Sequence, residues 1–198
     1  MVAADHQDHW IVVLGASAGG VEALSTVIGA LPAEFPAAVF VVLHLAPAGI
    51  SLLPEILGRA GPLPVRHAAD GAPIEPGRIY VAPPDRHLLV EPGIMRVTEG
   101  PIEHRARPAL DPLFRSAAET YGPRVVGVVL SGMLDDGAAG LQAVKRYGGA
   151  TIVQDPDDAM FRGMPANAVR LAEPDHVVPA TGIVRLLLTL VGRGTPVG

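Results

Sequence analysis

Three short stretches of this chain are apolar on both faces, and that pattern restricts the fold more than any other feature. Residues 10–14 (WIVVL), 38–43 (AVFVVL) and 125–130 (VVGVVL) show no alternation of polar and apolar side chains. A strand with no polar face must be covered on both sides, the habit of parallel strands buried between layers of helix. Helical spacing follows these runs. Val21, Leu24, Val27, Ile28 and Leu31 share one face of a helix over residues 21–31. Further helices are predicted over 51–59, 110–121, 138–147, 165–171 and 181–191, and shorter strands at 65–67, 78–81, 151–153 and 176–178. Pro92-Gly93 separates two runs at 87–90 and 94–97 that read as a hairpin. The expected fold is α/β: a three-layer, doubly wound, mostly parallel sheet with helices on both faces and an antiparallel hairpin at one edge. No repeat or long linker interrupts it. Residues 10–192 are expected to form one domain between a polar tail at 1–9 and a short tail at 193–198.

Composition narrows the chemistry. The absence of cysteine removes disulfides, thiolate catalysis and Cys-ligated zinc. Lys145 is the only lysine; it follows no glycine-rich loop, so there is no Walker A motif, and no site surrounds it that would suit a Schiff base. With a net charge of −5 and scattered arginines, no basic block exists to follow a phosphate backbone, and nucleic acid is not an expected partner. No apolar run approaches the roughly 18 residues of a membrane span. The start of the chain lacks the basic region and apolar run of a signal peptide. A cytoplasmic protein without membrane insertion is expected.

In open α/β sheets the ligand lies beyond the carboxyl ends of the strands. Gly15-Ala16-Ser17-Ala18-Gly19-Gly20 stands at the first of these ends and fits G-x-S-x-G between a strand and a helix. A sharp turn there lifts Ser17 Oγ into the cleft, and the next helix aims its first amides at developing negative charge. The same residues also suit a plain glycine-rich turn, or a dinucleotide loop with Ser17 in place of the middle glycine. The second strand end offers His44, where a dinucleotide site wants a carboxylate for the ribose. An imidazole, with its ordinary pKa of about 6.5, suits accepting a proton from serine; a hydrogen-bonded loop histidine is the alternative. The third end, Ser131-Gly132-Met133-Leu134-Asp135-Asp136-Gly137, carries two carboxylates. One suits orienting the imidazole and one suits capping the next helix; spacing does not say which.

Other polar groups carry weaker signals. His6 and His9 fall in a polar terminus, where solvation outweighs metal binding. His67, His87 and His104 have no ligand spacing with one another, and Asp155-Pro156-Asp157-Asp158 lacks the alternating carboxylates of a calcium loop. Arg162 precedes Gly163-Met164-Pro165 and reads either as a contact for acidic helices or as an ordinary surface arginine.

Taken in order, several pieces resemble the catalytic domain of the CheB-type chemotaxis methylesterases. They are Gly15–Gly20, His44, the stretch Ile79-Tyr80-Val81-Ala82-Pro83-Pro84-Asp85-Arg86-His87, then Arg107-Pro108-Ala109-Leu110-Asp111-Pro112-Leu113-Phe114, Gly132-Met133, Asp136-Gly137-Ala138-Ala139-Gly140, and Gly163-Met164-Pro165. The resemblance implies that Ser17 is the nucleophile, His44 the general base and Asp136 the buried acid, with Asp135 at a variable position. It places Ala18 and Met133 beside the oxyanion. It implies hydrolysis of glutamate γ-methyl esters, and deamidation of certain glutamines, on the cytoplasmic helices of chemoreceptors, without a metal or organic cofactor. This chain departs from the family at three positions. Leu134 stands where glycine is usual, Ala106 replaces the histidine of a His-Arg-Pro run, and Ala18 replaces a serine or threonine. A non-catalytic, CheB-like binding module in a signalling complex is the alternative these departures suggest. Many relatives carry an N-terminal phosphoacceptor domain, which the nine residues before the first strand are not expected to supply. Control by a separate regulatory protein, or constitutive activity, is therefore expected.

Overall fold

In the computed structural model, which describes residues 9–44 and 51–192, the apolar runs pair side by side. The strands are β1 (Trp10–Ala16), β2 (Ala37–Leu43), β3 (Val65–His67), β4 (Ile79–Val81), β5 (His87–Glu91), β6 (Ile94–Thr98), β7 (Val125–Val129), β8 (Ala150–Gln154) and β9 (His176–Val178). The helices are α1 (Gly20–Gly29), α2 (Leu53–Ala60), α3 (Leu110–Tyr121), α4 (Ala138–Arg146), α5 (Gly163–Ala172) and α6 (Ala180–Gly192). Seven strands form one sheet in the order β3-β4-β2-β1-β7-β8-β9, every neighbouring pair parallel.

The doubly apolar runs are explained by what covers them. Ile11 and Val13 of β1 face a core shared with α3, α4 and α5, while Val12, Leu14 and Ala16 face a second core shared with α1, α2 and α6. Alternate residues of one strand thus enter two different layers, and both must be apolar. β1 and β2 run to Ala16 and Leu43, which pair in register, so the first turn starts at Ser17.

The hairpin is present, but it does not extend the edge of the large sheet. β5 and β6 form a separate two-stranded antiparallel sheet. The reason lies in α3. Ser116 Oγ accepts from the Val90 amide (3.0 Å), Tyr121 Oη accepts from the Gly93 amide (3.2 Å), and Thr120 Oγ1 donates to the Val90 carbonyl (3.1 Å). Side chains of a helix thereby satisfy hairpin backbone groups that a neighbouring strand would otherwise take. Leu88, Val90 and Met95 complete the burial against the α3 side of the core.

The tails expected at residues 1–9 and 193–198 lie outside the described residues, as does His6, apart from His9, whose ring sits 5.7 Å from that of Tyr121. Among the described residues no helix is long and apolar enough to cross a membrane.

Candidate active site

Connections leave β1 in opposite directions. The first half of the chain builds β2, β4 and β3 on one side, and the second half builds β7, β8 and β9 on the other. The carboxyl end of β1 is therefore the crevice where such sheets hold ligands. Backbone hydrogen bonds continue past the strands there. The Ser17 amide donates to the Ser131 carbonyl (2.9 Å), and the His44 amide donates to the Ala16 carbonyl (3.2 Å). Three consecutive parallel strands thus deliver Ser17, His44 and the segment from Ser131 to Gly137 to one level.

The side chains form a line. His44 Nδ1 lies 3.2 Å from Ser17 Oγ, and His44 Nε2 lies 2.7 Å from Asp136 Oδ2. An ionised carboxylate only accepts, so Nε2 carries the hydrogen and Nδ1 presents its lone pair to the serine hydroxyl. Asp136 is buried at 1% exposure, whereas the neighbouring Asp135 is 59% exposed. Burial alone would raise the Asp136 carboxyl. The hydrogen bond from His44, those from the Leu110 (2.7 Å) and Asp111 (3.1 Å) amides, and the nearby imidazole outweigh it, and hold the group below the ordinary carboxylate range.

Those amides are the first two of α3. Asp136, expected as a possible cap for the helix that follows it, instead caps α3 from a distance. The exchange is reciprocal. Asp111, the second residue of α3, accepts through Oδ1 from the Gly137 (3.0 Å) and Gly140 (2.6 Å) amides at the start of α4. Neither helix has a side-chain cap of its own. Each carboxylate therefore sits at the positive end of the other helix's dipole. Asp111 is fully buried; burial and then repulsion from Asp136 push its carboxyl up, despite the Gly140 amide and His104. His104 Nε2 lies 2.8 Å from Asp111 Oδ2. Partial burial opposes its charged form, but Asp136 and Asp111 outweigh this and raise it. His104, Asp111 and Asp136 each offer a metal-ligating atom within 4.8 Å of the others. The carboxylate oxygens of that group are engaged by four backbone amides and two imidazoles, so its present role is a hydrogen-bond network.

The nucleophile-side turn depends on two glycines. Gly19 adopts φ 67°, ψ 9° as the N-cap of α1, a left-handed conformation that reverses the chain after Ser17. A Cβ on Gly132 would stand 2.9 Å from Ser17 Cβ and 2.8 Å from Met164 Sδ, so glycine lets the Met133 loop approach the serine. The Ser17 amide is committed to Ser131. Among the described residues, the Ala18 and Met133 amides donate to no backbone carbonyl; Ala18 directly follows Ser17, and Met133 follows the Gly132 that approaches it. Leu134 adopts φ 68°, the conformation glycine takes without penalty. A leucine holds that conformation at a local cost of roughly 1–2 kcal/mol. Its carbonyl accepts from Asn167 Nδ2 (2.7 Å), and its side chain is exposed beside Met133.

Sequence reasoning overlooked several contributors. Ser131 is 1% exposed; its Oγ donates to the Ala18 carbonyl (2.8 Å) and accepts from the Phe161 amide (3.0 Å), while its own amide donates to Gln154 Oε1 (2.9 Å). His87 is buried and binds the loop that feeds α3: Nδ1 accepts from the Ala109 amide (3.3 Å), and Nε2 donates to the Pro101 carbonyl (2.8 Å). Arg107 pairs with Asp85 (2.7 Å) and clamps the same loop. Arg162 makes an exposed pair with Asp157 (3.0 Å).

The fold and this crevice define a class: an α/β protein carrying a serine–histidine–aspartate line at the switch point of a parallel sheet. The chain belongs to the CheB methylesterase family, whose model matches residues 12–187. It is 42% identical over 180 residues to protein-glutamate methylesterase/protein-glutamine glutaminase 2 of Anaeromyxobacter dehalogenans, covering 91% of this chain and 53% of that protein. It is 39% identical to the corresponding protein of Hydrogenovibrio crunogenus, covering 93% of this chain and 50% of the other. The chain thus spans about half the length of these curated relatives. The crystal structure of the Thermotoga maritima CheB methylesterase catalytic domain superposes with a TM-score of 0.88 at 36% identity, over 92% of this chain and 99% of that one.

Proposed function

We propose that this chain hydrolyses γ-methyl esters of protein glutamates by nucleophilic catalysis. The observation that carries the reading is the hydrogen-bonded line from Ser17 through His44 to the buried Asp136. Ser17 Oγ attacks the ester carbonyl while its proton passes to His44 Nδ1. Asp136 holds the Nε2–H tautomer and stabilises the imidazolium that forms. The Ala18 and Met133 amides and the N-terminus of α1 face the developing oxyanion. His44 returns the proton to the methoxy oxygen, and methanol leaves. Water then attacks the acyl-serine, with His44 again accepting and returning a proton, to release a glutamate carboxylate and regenerate Ser17. Glutamine side chains have the same shape with ammonia as leaving group, in keeping with the glutaminase activity in the relatives' names. The substrates fitting the family are methylated chemoreceptor helices, and the triad needs no metal or organic cofactor for these steps.

Methanol release from methylated receptor preparations tests the reading. Ser17→Ala is expected to lose at least about 10^4-fold in kcat while keeping the fold, as removal of a serine nucleophile does elsewhere. An equally active Ser17→Ala chain overturns it. Labelling of Ser17 by a fluorophosphonate separates this reading from a non-catalytic module, which leaves the serine unlabelled.

A further inference from the structure

Two carboxylates are buried side by side where α3 meets α4, Asp111 at 0% and Asp136 at 1% exposure. Among the described residues, no lysine or arginine forms an ion pair with either. The resting line needs His44 neutral, because its Nδ1 must accept from Ser17. One group remains that can carry the opposing charge, His104. Its Nε2 lies 2.8 Å from Asp111 Oδ2 and 3.9 Å from Asp136 Oδ1, and its Nδ1 lies 3.6 Å from Asp135 Oδ1.

Both ring nitrogens therefore face carboxylate oxygens. A neutral imidazole has one donor and one acceptor, so one nitrogen would turn a lone pair toward a carboxylate. The imidazolium donates from Nε2 to Asp111 at 2.8 Å and also turns positive charge, at 3.6 and 3.9 Å, toward Asp135 and Asp136. The backbone confirms that this position is held against local preference. His104 and Arg105 are consecutive non-glycine residues at φ 48° and 61°. Such conformations persist where surrounding structure imposes them. Here the loop is closed by paired backbone hydrogen bonds between Glu103 and Ala106, and Glu103 is tied to Arg115 of α3 at 2.8 Å.

We propose that His104, as its imidazolium, is a positioning residue that balances the buried Asp111–Asp136 pair and thereby keeps Asp136 ionised and aimed at His44. This rests on the reading of Ser17, His44 and Asp136 as the reacting line. His104 touches no reacting atom; it acts through Asp111 and Asp136. The charged groups around it are Asp111 from α3 and Asp135 and Asp136 from the loop before α4. On its own segment, Glu103 is paired with Arg115, and Arg107 with Asp85. The partly exposed ring can exchange its proton with solvent, so the balance responds to pH. While His104 is charged it also opposes a second positive charge on His44, and so favours the base form needed for attack.

His104→Gln keeps a donor for Asp111 and removes the charge. With a methyl-ester substrate, the acid limb of its pH–kcat/KM profile is expected to move upward by about half a pH unit or more, as follows from losing a nearby unit charge. A purely structural role would lower the profile without moving the limb. An NMR titration of the intact wild-type chain, with the His104 ring signal assigned by its loss in the variant, supplies the activity-independent arm. His104 is expected to titrate above an exposed histidine, and Asp135→Asn is expected to lower that midpoint. Superimposable acid limbs in a folded His104→Gln chain, or a His104 midpoint at or below that of an exposed histidine, overturn the inference. If no variant releases methanol, the esterase reading fails, and the NMR titration still decides the charge state of His104.

Discussion

Ser131 shows how much a single residue contributes without touching substrate. Its carbonyl takes up the Ser17 amide, and its hydroxyl holds the Ala18 carbonyl, so one neighbour fixes the peptide unit before Ser17 and the one after Ala18. Replacing it by alanine leaves the Ala18 carbonyl and the Phe161 amide without that partner. We expect Ser131→Ala to lose about 1–3 kcal/mol of stability and to lower kcat by about tenfold or more with little change in KM, since in the proposed mechanism the turn it holds carries the Ala18 amide that meets the developing charge. Steady-state kinetics beside urea denaturation check this, with Ser131→Thr restoring the hydroxyl. Ser17 and His44 were legible in the sequence because each directly follows a fully apolar strand. By position alone the acid was legible only as one of two adjacent residues, and it was the family resemblance that pointed to Asp136. Burial separates them, and no spacing rule encodes it. His104 was not legible, because a left-handed loop carries it to Asp111.

At the scale of elements, α3 and α4 are joined by exchanged carboxylates. Sequence rules look for a cap just before each helix, but Ala109 and Gly137 occupy those positions and offer none. Asp111 and Asp136 supply the caps across the interface. This ties catalytic geometry to helix packing: α4 cannot shift without moving Gly137, and with it Asp136. Two substitutions at Asp111 separate its contributions. Asp111→Ala leaves the Gly137 and Gly140 amides unsatisfied and is expected to destabilise the chain by about 1–2 kcal/mol. Asp111→Asn keeps an acceptor for both amides and relieves Asp136 of a like charge, but it turns an NH2 toward His104 Nε2, so its loss at neutral pH is expected to be smaller than that of Asp111→Ala. Chemical denaturation of the two variants beside wild type separates these terms; equal losses would show that the acceptor for the two amides adds nothing beyond the charge. The hairpin teaches a related point. Its strands were evident from alternation and the Pro92-Gly93 turn, whereas its partner was not, since α3 side chains rather than another strand bind its backbone.

For the whole molecule, the layered fold was readable because burial on both faces leaves an unambiguous mark on β1, β2 and β7. The short strands β3 and β4 carry less of it, and their places beside β2 follow from pairing that composition does not record. The buried charges at the crevice make global stability depend on pH in a way that can be worked out by sign. Asp136 is lowered in the fold, so its contribution is present above the ordinary carboxylate value and is lost as pH falls through its own lower value. Asp111 is raised, so its ionisation costs stability as pH climbs from the ordinary value through its raised one. His104 is also raised, so its contribution is complete below the ordinary histidine value, about 6.5, and is lost as pH rises through the folded value. Of the three, His104 starts from the ordinary value nearest neutrality, and its contribution is the one lost on the alkaline side. Wild-type stability is expected to decline as pH rises from about 6.5 into the alkaline range, and His104→Gln is expected to flatten that decline while leaving the acid side in place. Urea midpoints taken across pH 5 to 9 measure both curves. Parallel declines in the two chains would mean that His104 carries no extra charge in the folded state.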